Sequence, residues 1–594
     1  MHGEGSTAAP PSVAQVAAAL PGGDPLAAAI AAGETPSPDM VAAAGSKEGL
    51  KLWAAWACLA VVIAGVIAAV FLGGQALLFR RVPIKNPPEV LAAKSREILQ
   101  KAGYPESTVD SAIGFSADEE YIQYVMKNDR STGRWDRMPS SAIGFWHRQS
   151  PGPLVRWISV FRLGGIMPND PPLSISGESL VWLDTRGRLT SLYVIPPERD
   201  ESTGAPGTPD WTVLFEASGL DPAKWTPAEP NWTPLLYADV RAAWTGALPD
   251  RPDVPMKIEA AAYRGRPVCW RLIAPWSNPR RTALSSASSD DRVQHLITGA
   301  LLLVLLLGGM FFAWRNLRLG RGDRRGAARL AYLIFTLMAI AWILWEHHVP
   351  EFEIYPLLTE FLGWALPVTG FLWILYIALE PFVRRRWPAA LVSWNRIFAG
   401  SLRDPLVGRD LLAGCVLAAV FVPLEYLSYP LASWIGVRAD SPIYSSLNSL
   451  LGTRMALAEI PSLMLWCIFW GLATLFLLFL LRVLLRRDWL AAILFVVILT
   501  IFFSMYSDSP LTWVVVAFES AIGYFLLIRF GLLALTASYT FCHLFYRFPI
   551  TTQSSAWYSG IGLAGIILML AFAAYAFHTS LGGRPMFQGK LLED

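Results

Sequence analysis

The sequence contains few charged residues for its length. Only 16% of its 594 residues are Asp, Glu, Lys or Arg, whereas 54% are hydrophobic. About a quarter of the residues of a soluble protein are charged, so this composition favours a membrane protein. The net charge is only +3, and it therefore gives no reason to expect nucleic acid as a partner.

The chain also lacks the patterns of a disulfide, metal or catalytic site. Its five cysteines are scattered, with Cys269 alone in the large polar region, and no Cys/His spacing indicates zinc. Glu346, His347 and His348 are adjacent, but neighbouring histidines point apart on a helix and Pro350 follows, so a solvated turn is favoured over a metal site. We expect no catalytic residue, no metal and no cofactor.

The chain contains many long apolar runs. The run from His295 to Phe312 has no charge after His295, and arginines follow it at once. About 20 such residues in a helix cross the hydrocarbon core of a bilayer. The first run is 50–72, and further runs lie at about 296–314, 327–345, 357–379, 411–430, 460–482, 489–505, 511–528, 530–547 and 557–577.

These runs predict a polytopic α-helical membrane protein with about ten spans. The pair of runs around Arg529 is the weakest, because one long or re-entrant element there would change the parity. The predicted order is a disordered cytoplasmic linker, the first transmembrane helix, an inserted polar domain, a multi-span helical domain and a cytoplasmic tail, with bounds 1–48, 49–74, 82–292, 293–580 and 581–594.

The polar region between spans 1 and 2 predicts an α+β domain. Residues 88–104 have helical periodicity, 155–163 alternate like a strand, and 178–197 indicate a hairpin. A helix-like segment at 211–220 and a hairpin at 257–276 then follow. Helix and then strands occur twice, so two similar halves are one interpretation. Its many tryptophans indicate a core, and some of them could line a ligand cleft.

The arginines predict which way the chain faces. The loop after the second span is basic, the next loop (residues 346–356) has no Lys or Arg, and the one after it is basic again. Under the positive-inside rule, this alternation places both termini in the cytoplasm and residues 82–292 on the other side. Four arginines run against the pattern, namely Arg80, Arg81, Arg438 and Arg454.

Three carboxylates lie inside predicted spans, at Glu360, Glu425 and Glu519. Carboxylates are costly in a bilayer and often functional, so one interpretation is a proton or ion path or a general acid/base pair. The alternative is contact between helices, with each carboxylate satisfied by Arg, Tyr or Ser. No motif connects the three, which favours the second interpretation.

The segment from Arg384 to Leu412 is the most distinctive polar stretch of the membrane half. It is basic, contains two tryptophans and has an apolar stripe. This pattern indicates an amphipathic helix at the cytoplasmic interface, or a docking site for anionic lipid or a cytoplasmic protein. The candidate residues are Arg384, Arg385, Arg386, Trp387, Trp394, Arg396, Arg403 and Arg409.

Two stretches, Ala378–Leu412 and Pro10–Gly45, resemble a group of bacterial membrane-bound serine/threonine protein kinases. In that group a cytoplasmic kinase domain precedes a large membrane part, and the resemblance covers only the membrane part. The strand lysine, catalytic-loop base and DFG-type aspartate of kinases are missing. The nearest His-Arg pair, His147-Arg148, is followed by Gln149. No catalytic residue is implied for this chain.

Three functions are compatible with these features. The first is a non-catalytic sensor or anchoring module in a bacterial inner membrane, with residues 82–292 in the periplasm binding a ligand and the basic loops contacting a cytoplasmic kinase or anionic lipid. The second is an integral membrane enzyme or transporter that uses the intramembrane carboxylates. The third is a truncated kinase fragment, and an in-frame kinase domain encoded upstream of Met1 would decide it.

Overall fold

The structure is a computed structural model that describes Met40 and residues 49–104, 108–157, 164–199, 207–279, 289–349, 354–444 and 446–585. It consists of long helices and a sheet domain inserted after the first of them. Apart from Met40, the predicted linker 1–48 lies outside the described residues, as does the predicted tail from residue 586 onward.

The first helix, α1 (Leu52–Ala76), is long enough to cross a membrane. Its 25 residues span about 38 Å at 1.5 Å per residue, against about 30 Å of hydrocarbon. A short helix, α2 (Leu78–Arg81), then leads into the sheet domain. Arg80 and Arg81 donate to the backbone carbonyls of Val70 and Gln75 at the end of α1, so their guanidinium groups satisfy backbone acceptors there.

The sheet domain contains one antiparallel sheet. Its strands are β1 (Asp110–Ala117), β2 (Ile143–Ser150), β3 (Ser179–Asp184), β4 (Leu189–Val194), β5 (Thr226–Ala228), β6 (Val240–Leu248), β7 (Arg251–Tyr263) and β8 (Arg266–Ile273). Their order is β1-β2-β3-β4-β8-β7-β6-β5. Two four-stranded meanders therefore meet at their last strands, where Leu192 pairs with Trp270.

Helices precede both meanders. They are α3 (Pro88–Lys101), which comes before β1, α4 (Glu119–Asn128), which lies between β1 and β2, and α5 (Thr212–Ala217), which comes before β5. Leu91 and Ile98 of α3 and Phe215 of α5 are buried in one hydrophobic core with strand residues such as Trp270. The apolar faces of these helices are thus covered by the sheet.

Both predicted hairpins are present. Strands β3 and β4 pair across a short turn, and β7 and β8 pair across Arg264 and Gly265, whose φ angles are 51° and 81°. The strand predicted at 155–163 is not formed in its described part, because residues 155–157 belong to no strand; residues 158–163 lie outside the described residues.

The described residues after the sheet domain are mostly helical. The helices are α6 (Ser289–Arg318), α7 (Arg324–Trp345), α8 (Ile354–Arg386), α9 (Val392–Phe398), α10 (Pro405–Trp434), α11 (Thr453–Leu485), α12 (Asp488–Ser504), α13 (Pro510–Arg529), α14 (Leu532–Arg547) and α15 (Ser559–Ser580). Among the described residues, eight helices are long and apolar enough to cross a membrane, and α12 is apolar but shorter. This confirms a polytopic helical membrane protein.

Two of the ten predicted spans correspond to short helices. Helices α12 and α14 contain 17 and 16 residues, or about 25 Å, which is less than the hydrocarbon thickness. Helices α13 and α14 are separate elements. The chain turns between them at Gly531, whose φ is 90°, and a Cβ there would lie 2.4 Å from the carbonyl oxygen of Ala390.

Helix α10 is the central helix of the bundle, and it packs against α1, α13, α14 and α15. Its closest approach is to α1, where a Cβ on Gly65 would lie 2.0 Å from the carbonyl oxygen of Ala419. Pro423 lies four residues after Ala419 and has no N–H, so that carbonyl has no helical donor. Close approach through small residues is the usual way in which membrane helices pack.

We predict that Gly65→Ala lowers the thermal stability of the bundle by about 1–3 kcal/mol, because backbone atoms cannot give way to the new methyl group. Unfolding of the detergent-purified protein is followed with a thiol-reactive dye that reports the buried Cys415 and Cys467. Gly363→Ala is the matched control, since no atom of the described residues lies within 4 Å of its Cβ position. Equal unfolding midpoints for the two variants would contradict this packing.

Candidate functional site: the two ends of the helix bundle

The sheet domain contacts loops at one end of the bundle. The buried Arg134 donates to both carboxylate oxygens of Asp508, between α12 and α13, at 2.8 and 2.7 Å. It also donates to the carbonyl of Ala439, between α10 and α11, at 2.5 Å. Trp557, between α14 and α15, donates to the carbonyl of Ile84 at 3.0 Å. One side of the sheet domain is therefore held by three separate loops.

A fourth contact involves the loop between α7 and α8. Arg156 lies between two carboxylates, 3.3 Å from Glu346 and 2.7 Å from Glu360. Burial raises the pKa of Glu346, and the charge of Arg156 opposes this rise. In the same loop, the His347 ring nitrogen lies 2.8 and 2.9 Å from the two carboxylate oxygens of Asp110. The predicted intramembrane carboxylate Glu360 thus belongs to the contact with the sheet domain.

These contacts place the four loops at the same end of the bundle as the sheet domain, which we call the domain face. Two of the arginines that run against the predicted pattern are held there by partners. Arg80 donates to the hydroxyl of Thr552 at 3.0 Å, and Arg438 lies 3.4 Å from Asp508. Their charges are used in local contacts, so they carry little information about which side of a membrane they occupy.

The opposite end of the bundle is the basic face. The backbone N–H of Leu50 donates to the carbonyl of Ser580 at 2.8 Å, and Arg384 donates to the carbonyl of Arg321 at 3.1 Å. These contacts bring together the start of α1, the end of α15, the α6–α7 loop and the end of α8. Exposed arginines near these helix ends, which define the basic face, are Arg315, Arg318, Arg321, Arg324, Arg325, Arg329, Arg385, Arg386, Arg403, Arg486, Arg487, Arg529 and Arg584.

The structure divides the predicted docking residues into two sets. Arg385, Arg386 and Arg403 are exposed. In contrast, Arg384 is buried and lies 2.7 Å from Glu380, and Arg396 is buried and lies 2.5 Å from Asp404.

The remaining docking candidates are also engaged inside the protein. Trp394 on the seven-residue helix α9 is buried. Trp387 lies under the guanidinium of Arg482, 4.0 Å from the ring centroid, and Arg409 lies 2.8 Å from the buried Asp410. The segment is therefore a folded layer across the bundle, not a free amphipathic helix, and Arg385, Arg386 and Arg403 are its exposed candidates for docking.

The other two intramembrane carboxylates lie near each other. Glu425 on α10 accepts a hydrogen bond from the hydroxyl of Tyr546 on α14. Glu519 on α13 interacts electrostatically with Glu425. Both are half-buried in the isolated chain. The structure thus brings together two of the three predicted carboxylates and places Glu360 elsewhere.

Several contact residues were not identified from the sequence. Arg134, Arg156, Asp508 and Tyr546 each pair with a residue far along the chain; Arg156 and Glu360, for example, are separated by 204 positions. No local pattern distinguishes these residues from others of their type. The acidic turn that contains Asp508 is the one signal that was available.

The His147-Arg148 pair and the lone cysteine of the sheet domain, Cys269, have structural roles in this chain. His147 lies in β2 with its Nδ1 3.0 Å from the hydroxyl of Ser95, and Arg148 forms a buried ion pair with Glu178. Burial raises the pKa of Cys269 to about 12, so this thiol is not a nucleophile at neutral pH.

A G-x-G-x-x-G spacing does occur in the chain, at 560–565, but it lies within the apolar helix α15. Its last two glycines serve helix packing, because a Cβ on Gly562 would meet the carbonyl of Pro549 and one on Gly565 would meet Phe548. Within the described residues, no group of three or more His, Cys, Asp or Glu side chains could hold a metal ion.

The sheet domain has a small cavity of about 240 Å³. None of the described tryptophans lines it; Trp244 and Trp270 instead pack edge-on against Phe215 in the core. The cavity lies between α3 and the start of β3, and its polar lining comprises Arg96, Gln100, Tyr104, Thr108, Gln149, Ser150, Ser176 and Ser179.

Comparison with known proteins gives no relative: no family model, no curated protein and no solved structure matches the chain.

We predict that the sheet domain loses stability as the pH falls from about 6.5 to about 4. Burial lowers the pKa of His147 to about 4 from its ordinary 6.5, so in this range the unfolded state binds a proton that the folded state does not. The loss should reach about 3 kcal/mol. It is measured by denaturant unfolding followed by tryptophan fluorescence. His147→Gln should flatten this pH dependence, and a variant with an unchanged slope would rule out His147 as its origin.

Proposed function

We propose that the chain is a non-catalytic membrane sensor or anchoring module of a signalling protein of the transmembrane serine/threonine kinase type. The sheet domain would detect a ligand or a state of the cell envelope. The helices would transmit that state to the basic face, where a cytoplasmic partner docks. The resemblance of the two segments described above to membrane-bound kinases supports the choice of partner.

The observation that carries this proposal is the path of α8. Near its start, Glu360 contacts Arg156 of the sheet domain at 2.7 Å. Its last residues are Arg384, Arg385 and Arg386 on the basic face. The helix has 33 residues and is therefore about 50 Å long. One continuous element connects the sheet domain to the docking surface, so a small shift at one end displaces the other.

Two details of α8 favour movement of the helix as a unit with its neighbour. Pro381 has no N–H, so the carbonyl of Ile377 has no helical donor. The buried side chain of Asn316 on α6 donates to this carbonyl at 2.9 Å and to that of Ala378 at 3.0 Å. The end of α8 is thereby fixed to α6, and both helices end at the basic face.

The arginine distribution supports a placement for each face. Thirteen exposed arginines define the basic face, and the positive-inside rule then assigns that face, together with both termini, to the cytoplasm. In the inner membrane of a bacterium the sheet domain would lie in the periplasm. Arg385, Arg386 and Arg403 would contact the kinase partner or anionic lipid headgroups.

The second candidate function is a transporter or membrane enzyme. The specific observation in its favour is the electrostatic contact of Glu425 with Glu519 inside the bundle. Glu360 does not join this pair, because Arg156 engages it at the domain face. The second candidate therefore depends on two carboxylates, not on three.

Hydrogen exchange tests the proposed coupling. Arg156→Gln removes the ion pairs of Arg156 with Glu346 and Glu360, and breaking a buried pair costs about 3–5 kcal/mol. In protein reconstituted into lipid discs, we expect faster exchange in the 346–349 loop and also in residues 387–404 at the basic face. The readout is mass spectrometry of peptides from both regions.

Arg186→Gln is the matched control, because the Arg186–Asp250 pair is exposed and lies within the sheet domain. It should leave both regions unchanged. If Arg156→Gln accelerates exchange only at the domain face, the two ends of the bundle are not coupled and the sensor proposal is wrong.

A further inference from the structure

The pair formed by Glu425 and Glu519 lies between two adjacent helices of the bundle. Helices α10 and α13 pack together at this level, since the rings of Phe421 and Phe518 are 6.4 Å apart. Phe421 is one helical turn before Glu425, and Phe518 directly precedes Glu519. The two carboxylates interact electrostatically across this contact.

The pair receives little stabilisation of negative charge. Glu425 accepts one hydrogen bond, from the hydroxyl of Tyr546. Within the described part of the chain, Glu519 has no hydrogen bond and no ion pair. The nearby cation on α14, Arg547, lies 2.8 Å from Glu459 instead.

The surroundings add negative charge or polarity, not a counterion. Asp440, in the α10–α11 loop, interacts electrostatically with Glu425. The Tyr426 side chain is only 1% exposed, and its hydroxyl, which interacts electrostatically with Glu425, has no hydrogen-bond partner among the residues that the structure describes. The titratable and charged groups around the pair are Asp440, Cys542, Tyr426, Tyr429 and Tyr546, with Arg80 beyond Tyr426.

Two carboxylates without a cation cannot both be ionised in a medium of low dielectric constant. An intramembrane acid in this position is stable when it carries a proton. Two carboxyl groups that face each other with a single hydroxyl donor between them, Tyr546, fit the proton as their ligand.

We propose that Glu425 and Glu519 form a proton-binding site that holds one proton at neutral pH and exchanges it with water at the domain face through Asp440. This proposal rests on the second candidate function, a transporter or membrane enzyme, and names the proton as its ligand. It does not require transport, since a bound proton is detectable in a protein that moves nothing.

Dicyclohexylcarbodiimide, a hydrophobic carbodiimide, tests the site. The carboxylic acid gives its proton to a carbodiimide nitrogen, its oxygen adds to the central carbon, and the acyl group then migrates to nitrogen. The product is a stable N-acylurea with no leaving group, so mass spectrometry of peptides locates it. In lipid discs at pH 7 we expect an adduct on Glu425 or Glu519 and none on Glu360 or Glu459, because both of the latter are ion-paired.

The charge coupling is tested by the variants Glu425→Gln and Glu519→Gln. In at least one of the two variants, the remaining carboxylate should be half-labelled at a pH about one unit or more below the value for the same residue in the unchanged protein, since a like charge no longer opposes its ionisation. Absence of both adducts at pH 7, or an unchanged half-labelling pH in both variants, would overturn the proposal. Loss of the proton site would leave the sensor function untouched, as that function rests on Arg156 and α8.

Discussion

The ion pairs of Arg156 with Glu346 and Glu360 connect the two parts of the molecule. Arg156 lies beyond the last hydrogen-bonded residues of β2, and the two carboxylates lie at the domain-face ends of α7 and α8. All three are largely shielded from water, so the pairing is strong only while their geometry is kept. The position of the sheet domain relative to α8 therefore depends on this contact more than on any exposed pair.

The charged residues at the two ends of the bundle have different roles. At the domain face, cations such as Arg134 are matched to carboxylates and carbonyls of the loops. At the basic face, the buried residues Arg384 and Arg396 hold the chain in place, whereas Arg385, Arg386 and Arg403 are exposed. Only the exposed set can interact with a partner or with lipid, which is why the docking proposal is restricted to Arg385, Arg386 and Arg403.

Much of the fold could be predicted from the sequence because its signals are local. Apolar runs identify each membrane helix, and turn residues such as Gly265 identify both hairpins. The meeting of the two meanders at β4 and β8 could not be predicted, since pairing of Leu192 with Trp270 joins strands that are far apart in the chain. The short lengths of α12 and α14 could be predicted, since the apolar runs at 489–505 and 530–547 match these helices to within two residues.

The candidate sites show the same contrast between local signals, which a sequence contains, and contacts between distant residues, which it does not. Glu425 and Glu519 were identified because a carboxylate in an apolar run is conspicuous, but their partner Tyr546 was not. The sequence predicts that Trp394 and Arg396 are available for docking, because the segment has the pattern of an interfacial helix. They are buried because the seven-residue helix α9 packs against the bundle. Side-chain pairing between distant segments decides each of these cases, and a single sequence does not contain it.

The most direct test of the account is the sidedness of its two faces. Asp253, 69% exposed in the sheet domain, and Leu402, 52% exposed at the basic face, are replaced singly by cysteine. The native cysteines are buried or half-buried and give a low background with a membrane-impermeant maleimide. On spheroplasts the account predicts labelling at position 253 and, at position 402, labelling only after lysis. Labelling of 402 but not 253 in intact spheroplasts would contradict it.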